Sequence, residues 1–252
     1  MTRPLIMVAP NGARRTHADH PALPVTLSET IATARSCHRA GADALHLHVR
    51  DDAGAHSLDP GRYREALDEL ANAVPDMAVQ ITTESAGIFD VPAQLNTLNR
   101  VAPKWASISI REIARAPALA DPVYGTCADN GTRVQHILYD TADAALLQAW
   151  TARGIVRPSQ SDVILVLGRY VAGQTSNPQE IAPLLDTLHP GTNWMLCAFG
   201  ANEHNCLIQA ARLGGDIRVG FENSLCAADG TLYPDNAASV ADLTAQLSHL
   251  AA

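Results

Sequence analysis

The sequence predicts a (β/α)8 barrel, the TIM-barrel class of α/β fold, as a single catalytic domain over residues 1–252. Two observations carry this prediction. Eight short apolar runs recur along the chain, and segments with helical start and stop signals lie between them. Eight runs in 252 residues leave about 31 residues for each unit, which is the size of one βα repeat. A doubly wound open sheet is the alternative.

Each predicted strand is a run of apolar residues bounded by polar residues, glycine or proline. The eight runs are Leu5–Ala9, Ala44–Val49, Met77–Thr83, Trp105–Ile110, Val134–Tyr139, Val163–Leu167, Asn193–Cys197 and Asp216–Phe221. The helix after the fourth run has little periodicity, because glycines interrupt residues 121–133. Elsewhere the helical signals are clear. Thr26 and Glu29 have capping-box spacing, Gly41 stands where that helix should end, and Asp59 and Pro60 open the next helix.

Composition narrows the function classes. The formal net charge of −8 disfavours a broad nucleic-acid surface. Lys104 is the only lysine and directly precedes the fourth predicted strand, at the wrong end of a barrel for a Schiff-base aldolase. Ten histidines against three phenylalanines point towards metal or acid–base chemistry. Five scattered cysteines without a C-x-x-C pair, and no apolar run of signal-peptide or membrane length, predict a reduced cytoplasmic protein.

Several predicted strands carry polar side chains on one face and apolar side chains on the other, because successive side chains alternate across a strand. Burying a polar face on the barrel axis is costly unless it binds something, so we expect an active site at the carboxyl ends of the strands. The polar positions are His46, His48, Gln80, Thr82, Glu84, Ser107, Ser109, Arg218 and Glu222.

His46, His48 and Glu222 predict a metal site. The histidines share one face of the second strand, and Glu222 leaves the end of the last strand, two places away around a closed barrel. Two imidazoles and one carboxylate leave coordination positions open for substrate, as a Lewis-acid site requires. The ligand set alone admits zinc, iron or manganese. Two ordinary buried or surface histidines are the alternative interpretation.

Around these residues the chain resembles the β-keto acid cleavage enzyme family. The resemblance runs from about residue 5 to 245 and is weakest between residues 111 and 180. The motifs that carry it are APNGARRTHADHPALPVT, GADALHLHVRDDAGAHSLDP, QITTESAG, GGDIRVGFENSL and PDNAASV. The HLHVRD and RVGFEN blocks together are specific.

The resemblance implies a (β/α)8 fold, a homotetramer and one zinc ion (Zn²⁺) per subunit. It also implies condensation of a β-keto acid with acetyl-CoA, which releases acetoacetate and a new acyl-CoA. The family's metal ligands fall on His46, His48 and Glu222, and its catalytic arginine falls on Arg218. The hydroxyl group that holds the keto acid falls on Thr82, and a second hydroxyl falls near Ser107 or Ser109.

Two departures concern acid–base chemistry. Asn223 replaces the acid that the family pairs with its arginine, and an amide cannot act as a general base. Either the base lies elsewhere or Asn223 only orients Arg218 and substrate. Glu84 shares the Thr82 face and is the candidate replacement, with a solvated loop acid as the alternative. Asp216 also replaces a usual histidine and is expected to alter the surroundings of Arg218.

A third departure concerns substrate choice. Some family members that take amine-bearing substrates carry an acid where this chain has Arg14. We therefore expect Arg14 to meet an anionic distal group, such as the second carboxylate of a dicarboxylic β-keto acid. A surface salt bridge is the alternative.

The leading function from the sequence is a zinc-dependent acyltransferase of the Claisen type. A metal-dependent aldolase or lyase on the same barrel, and a catalytically altered member that only binds a small molecule, remain open. Formation of acetoacetate that depends on acetyl-CoA separates the first function from the other two.

Overall fold

The computed structural model describes residues 3–171, 173 and 175–251. Every one of the eight predicted strands is present in it. The barrel strands are β1 (Ile6–Val8), β2 (Ala44–Leu47), β5 (Ala78–Thr82), β6 (Trp105–Ser109), β7 (Arg133–Leu138), β8 (Asp162–Leu167), β9 (Trp194–Ala198) and β10 (Asp216–Val219). They form a closed parallel barrel in the order β1-β10-β9-β8-β7-β6-β5-β2, which confirms the (β/α)8 prediction over the open-sheet alternative.

Helices surround the barrel and follow the strands in sequence. They are α1 (Leu27–Arg39), α2 (Pro60–Ala73), α3 (Val91–Val101), α4 (Ile110–Ile113), α5 (Ala120–Asp129), α6 (Thr141–Ala152), α7 (Ile181–Leu185), α8 (Glu203–Arg212) and α9 (Asn236–Ala251). Short 3-10 helices span Pro117–Leu119 and Pro178–Glu180. Helix α5 forms despite its weak sequence pattern. In the described residues no helix combines the length and the apolar character that a membrane crossing requires.

The capping signals act as expected. Thr26 Oγ1 accepts the backbone N–H of Glu29 at 3.3 Å, and the Glu29 carboxylate accepts the N–H of Thr26 at 2.8 Å. Asp59 caps α2 by accepting the N–H of Arg62 at 2.8 Å. These bonds satisfy backbone donors that the first turn of a helix leaves unpaired.

Two predicted strands end two residues earlier than expected, and both ends shape the site. The second run stops at Leu47. Val49–Arg50 instead forms β3 of a small antiparallel hairpin with β4, His56–Ser57, so His48 lies between two strands. The last run stops at Val219, because Gly220 has a φ of +136° that turns the chain. A Cβ at Gly220 would lie 2.6 Å from the Ala9 carbonyl oxygen, so the turn requires glycine.

Two main apolar clusters lie on opposite sides of the barrel wall. The larger one joins the outward faces of the strands to the helices. The smaller one fills part of the barrel interior with Met7, Ala44, Trp105, Ile137, Ile164, Val166, Met195, Cys197 and Phe199. Buried polar side chains alternate with it along the same strand faces, among them His46, Gln80, Ser107 and Arg218. The polar interior predicted from the strand pattern is therefore confirmed.

Candidate active site

Three candidate ligands converge where β2 and β10 end, on either side of β1. His46 lies on β2, His48 follows β2, and Glu222 lies on the turn after β10. The Nε2 atoms of the two histidines are 3.2 Å apart. Glu222 Oε2 lies 3.8 Å from Nε2 of His46 and 3.6 Å from Nε2 of His48. The structure thus brings together the side chains that the sequence selected.

The His46 ring is oriented by Gln80. Gln80 Oε1 lies 2.7 Å from Nδ1 of His46, so the ring nitrogen donates to the amide oxygen and Nε2 keeps its lone pair. Gln80 Nε2 in turn donates to Gln135 Oε1 at 2.9 Å. Burial, reinforced by Arg218, holds the pKa of His46 well below its usual value. A neutral imidazole with a free Nε2 is the form that binds a metal.

Glu222 is charged despite its burial. Desolvation alone raises the pKa of this carboxyl, but Arg218 and His48 outweigh it and hold the pKa well below the usual value. Arg218 Nη2 approaches Oε1 at 3.4 Å, whereas Oε2 has no hydrogen-bond donor among the described residues and faces the two histidines. Two imidazole nitrogens and this carboxylate oxygen form a donor set that fits a divalent metal ion.

Arg218 lies beside this centre in the barrel wall, with its side chain only 5% exposed. Its Nη2 also approaches Cys197 Sγ at 3.2 Å. The predicted effect of Asp216 on this arginine is not seen as a contact. Asp216 accepts the N–H of Leu5 at 2.8 Å, at the amino end of β10. Exposed Lys104 precedes β6, at the same end of the barrel.

A small cavity opens beside His46 and Glu222 at the carboxyl ends of the strands. Of the residues predicted for the site, it is lined by His46, Thr82, Glu84, Ser109, Arg218 and Glu222. Thr82 Oγ1 accepts the N–H of Glu84 at 3.0 Å. Ser107 is fully buried below the cavity wall, and the hydroxyls of Ser107 and Ser109 have no partner in the described part of the chain. Ser109 is therefore the better placed of the two serines.

Glu84 belongs to the cavity wall rather than to a solvated loop, because its side chain is only 16% exposed. Oε2 of Glu84 lies 3.9 Å from Nε2 of His48, and Oε1 accepts a hydrogen bond from Arg169 at 3.2 Å. The sequence reasoning did not select Arg169. The signal was available, since Arg169 is the second residue after a predicted strand, as Glu84 is after β5.

Asn223 points away from the cavity. Its Nδ2 donates to Glu203 Oε1 at 2.9 Å and to the Arg218 carbonyl at 3.0 Å. Glu203 opens helix α8 and also accepts the N–H of Gly220 at 3.0 Å. Burial raises the pKa of Glu203 to about 8. Asn223 and Glu203 thus hold the turn that carries Glu222. No sequence pattern singled out Glu203.

Arg14 is exposed, does not line the cavity and forms no ion pair within the described ranges. Its neighbour Arg15 is partly buried and donates to the Phe221 carbonyl, and burial lowers the pKa of Arg15. Arg50 ties the same loop to the hairpin by donating to the carbonyls of Gly12 and Ala13. The structure thus places a different arginine, Arg169, in the cavity wall.

A closed (β/α)8 barrel with a buried arginine and a His-His-Glu cluster at its carboxyl end defines a class, the (β/α)8-barrel enzymes with a candidate metal site. Comparison with known sequences is more specific, since the model of one family, beta-keto acid cleavage enzyme, matches residues 4–251. The chain belongs to the β-keto acid cleavage enzyme family.

Characterised relatives are distant in sequence but similar over nearly their whole length. The 3-keto-5-aminohexanoate cleavage enzyme of Fusobacterium nucleatum subsp. nucleatum is 24% identical over 94% of this chain and 88% of its own. The 3-oxoadipate:acetyl-CoA acetyltransferase of Cupriavidus necator is 24% identical over 97% of this chain and 89% of its own length.

Among solved structures, the apo structure of ObcA superposes with a TM-score of 0.70 at 18% identity. The superposition covers 92% of this chain, which spans only 63% of the ObcA chain. At this identity the likeness supports the fold alone.

Proposed function

We propose that this protein transfers acyl groups between a β-keto acid and acetyl-CoA with one bound zinc ion. The products are acetoacetate and the CoA ester of the shortened acid. The observation that carries the proposal is the convergence of His46, His48 and Glu222 beside Arg218, at the edge of one cavity. The acetyltransferase name of the Cupriavidus necator relative supports the choice of acetyl-CoA as co-substrate.

Zinc bound by His46, His48 and Glu222 would supply Lewis acidity at the β-keto carbonyl oxygen. Arg218 stabilises negative charge that develops on the substrate, because it is buried and its guanidinium stays protonated. Thr82 and Ser109 line the same cavity and bind the carboxylate of the keto acid through their hydroxyls. Gln80 acts through His46 and is a positioning residue.

Glu84 is the proposed general base that removes the proton from the α-carbon of the keto acid. It is the cavity carboxylate that is not a candidate ligand, and it lies near the ligand His48. The resulting carbanion attacks the acetyl carbonyl of acetyl-CoA. The CoA thiolate is expelled from the acetyl carbon and attacks the β-keto carbonyl. The bond between the α- and β-carbons then breaks, which releases the new acyl-CoA, and protonated Glu84 returns its proton to the acetoacetate carbanion. Asn223 faces Glu203 instead of the cavity and serves as a positioning residue.

The test is a panel of neutral, cationic and dicarboxylic β-keto acids with acetyl-CoA, with acetoacetate as the readout. Activity should disappear with a zinc chelator and return when zinc is added. Carbon–carbon cleavage without CoA would indicate the lyase alternative instead. Substrate binding without turnover in zinc-loaded protein would indicate a binding protein. We also propose a cytoplasmic homo-oligomer, a tetramer as the family resemblance implies, which light scattering in solution tests.

A further inference from the structure

Arg169 stands across the barrel mouth from the metal ligands. In the closed ring of eight strands, β8 lies four places from β2 in either direction, so the two strands are opposite each other. Arg169 follows β8 and His46 lies on β2, yet both side chains line the same cavity. The Arg169 side chain reaches over this cavity to the Glu84 carboxylate, which follows β5. A ligand that fills the cavity from the metal ligands outward must therefore meet its guanidinium.

The contacts of Arg169 hold its guanidinium in place but leave donors available. Its side chain is 13% exposed, and its guanidinium carbon lies 4.9 Å from the centre of the Phe199 ring. Glu84 is its hydrogen-bond acceptor among the described residues, through Nη2 alone. Because a guanidinium carries several N–H donors in a planar fork, the others can bind a ligand carboxylate side-on.

The charges around the cavity favour a ligand with more than one negative group. Arg169 and Arg218 contribute two cationic groups, and Glu84 and Glu222 contribute two carboxylates, so the wall is balanced before any metal binds. A divalent ion in the proposed centre makes the site cationic. In a small, largely buried cavity this excess charge is poorly screened, so a dianion binds better than a monoanion.

We propose that Arg169 binds the second carboxylate of a β-keto dicarboxylic acid and so determines substrate class. The inference rests on the proposed function for the keto end of the substrate. On binding, the distal carboxylate replaces Glu84 as the partner of the guanidinium, while Phe199 keeps the guanidinium plane in place. This assigns to Arg169 the role that the family resemblance suggested for the exposed Arg14.

The experiment compares a six-carbon β-keto dicarboxylic acid with the six-carbon β-keto monocarboxylic acid in the acetyl-CoA reaction of the zinc-loaded protein. Wild type should prefer the dicarboxylic acid. In Arg169→Gln the preference, as a ratio of kcat/KM values, should fall about 10- to 100-fold, because a charge-assisted contact is lost. Arg169→Lys should lower this ratio less, because lysine keeps the positive charge but lacks the planar set of N–H donors. Arg153→Gln, an exposed arginine after α6, is the matched control.

Binding of both acids without acetyl-CoA, measured by titration calorimetry, separates this inference from the proposed function. If neither acid is turned over but Arg169→Gln still weakens binding of the dicarboxylic acid selectively, the proposed reaction is wrong and the role of Arg169 stands. If both acids are turned over and a folded Arg169→Gln keeps the wild-type ratio, the inference is overturned. It is also overturned if wild type prefers the monocarboxylic acid, or if only Arg14→Gln lowers the ratio.

Discussion

Gln80 Oε1 lies 2.7 Å from Nδ1 of His46, and this contact decides which ring nitrogen faces Glu222 and His48. The amide oxygen accepts the Nδ1 proton, so the Nε2 lone pair points to the centre. Gln135 holds the Gln80 amide from its other side, at 2.9 Å. A chain of buried amides thus orients the proposed metal ligand.

The first prediction concerns the hydrogen bond from His46 to Gln80. Gln80→Leu keeps the size of the side chain but leaves Nδ1 of His46 without its acceptor, so the ring loses its orientation. Zinc affinity should fall about 10- to 100-fold, measured by competition with a chromophoric chelator. Gln148→Leu changes an exposed glutamine on α6 and is the control. Equal zinc affinity in Gln80→Leu and wild type would show that Gln80 does not position His46.

The second prediction tests Glu84 as the general base. Glu84→Gln should lower kcat by at least about 100-fold, because the amide cannot accept the α-proton. KM for the keto acid should change less than kcat. The exposed Glu69 on α2 offers a matched control in Glu69→Gln. Unchanged turnover in Glu84→Gln would remove Glu84 as the base.

The third prediction is a pH dependence of stability that originates at Glu203. Burial raises its folded-state pKa from 4.5 to about 8, so between these values the native state holds a proton that the unfolded state has released. The free energy of unfolding contributed by this group should therefore fall as pH rises from about 5 to about 8.

Glu203→Gln has no carboxyl proton to lose, so its free energy of unfolding should change less with pH over the same range. The difference between wild type and variant should change by about 2 to 4 kcal/mol. Urea unfolding at several pH values, in the presence of chelator, measures it. If the free energy of unfolding depends on pH in the same way in wild type and Glu203→Gln, the Glu203 carboxyl does not titrate between about pH 5 and about pH 8. The control, Glu69→Gln, should show the same pH dependence as wild type.

The fourth prediction concerns the Asn223–Glu203 pair. Asn223→Asp would place a second carboxylate about where Nδ2 now donates to Glu203 Oε1 at 2.9 Å. At pH 9, repulsion between the two buried carboxylates should cost about 1 to 3 kcal/mol of stability. Adding Glu203→Gln should restore part of that loss, because a neutral amide can pair with the aspartate. Simple additivity of the two changes in a double-mutant cycle would contradict this pairing.

Much of the site was predictable because strands alternate their side chains. His46, Thr82, Ser109 and Arg218 were placed on the barrel axis from a period of two residues alone, and the structure has them there. The alternation rule became less reliable at the strand ends. His48 lies past β2, and Glu222 lies past a glycine turn, yet both face the centre.

The sequence by itself determined the eight strands, the polar interior and the three candidate ligands, because periodicity and capping are local properties of the chain. Only the tertiary structure decided how the remaining polar groups pair. Arg169 meets Glu84 across 85 residues of sequence, and Asn223 meets Glu203 across 20. The closed barrel brings Arg169 and Glu84 from distant strands to one rim, and the pairing of β9 with β10 brings Glu203 to Asn223. For that reason Arg169, rather than Arg14, lines the cavity, and Asn223 faces a buried acid instead of the substrate.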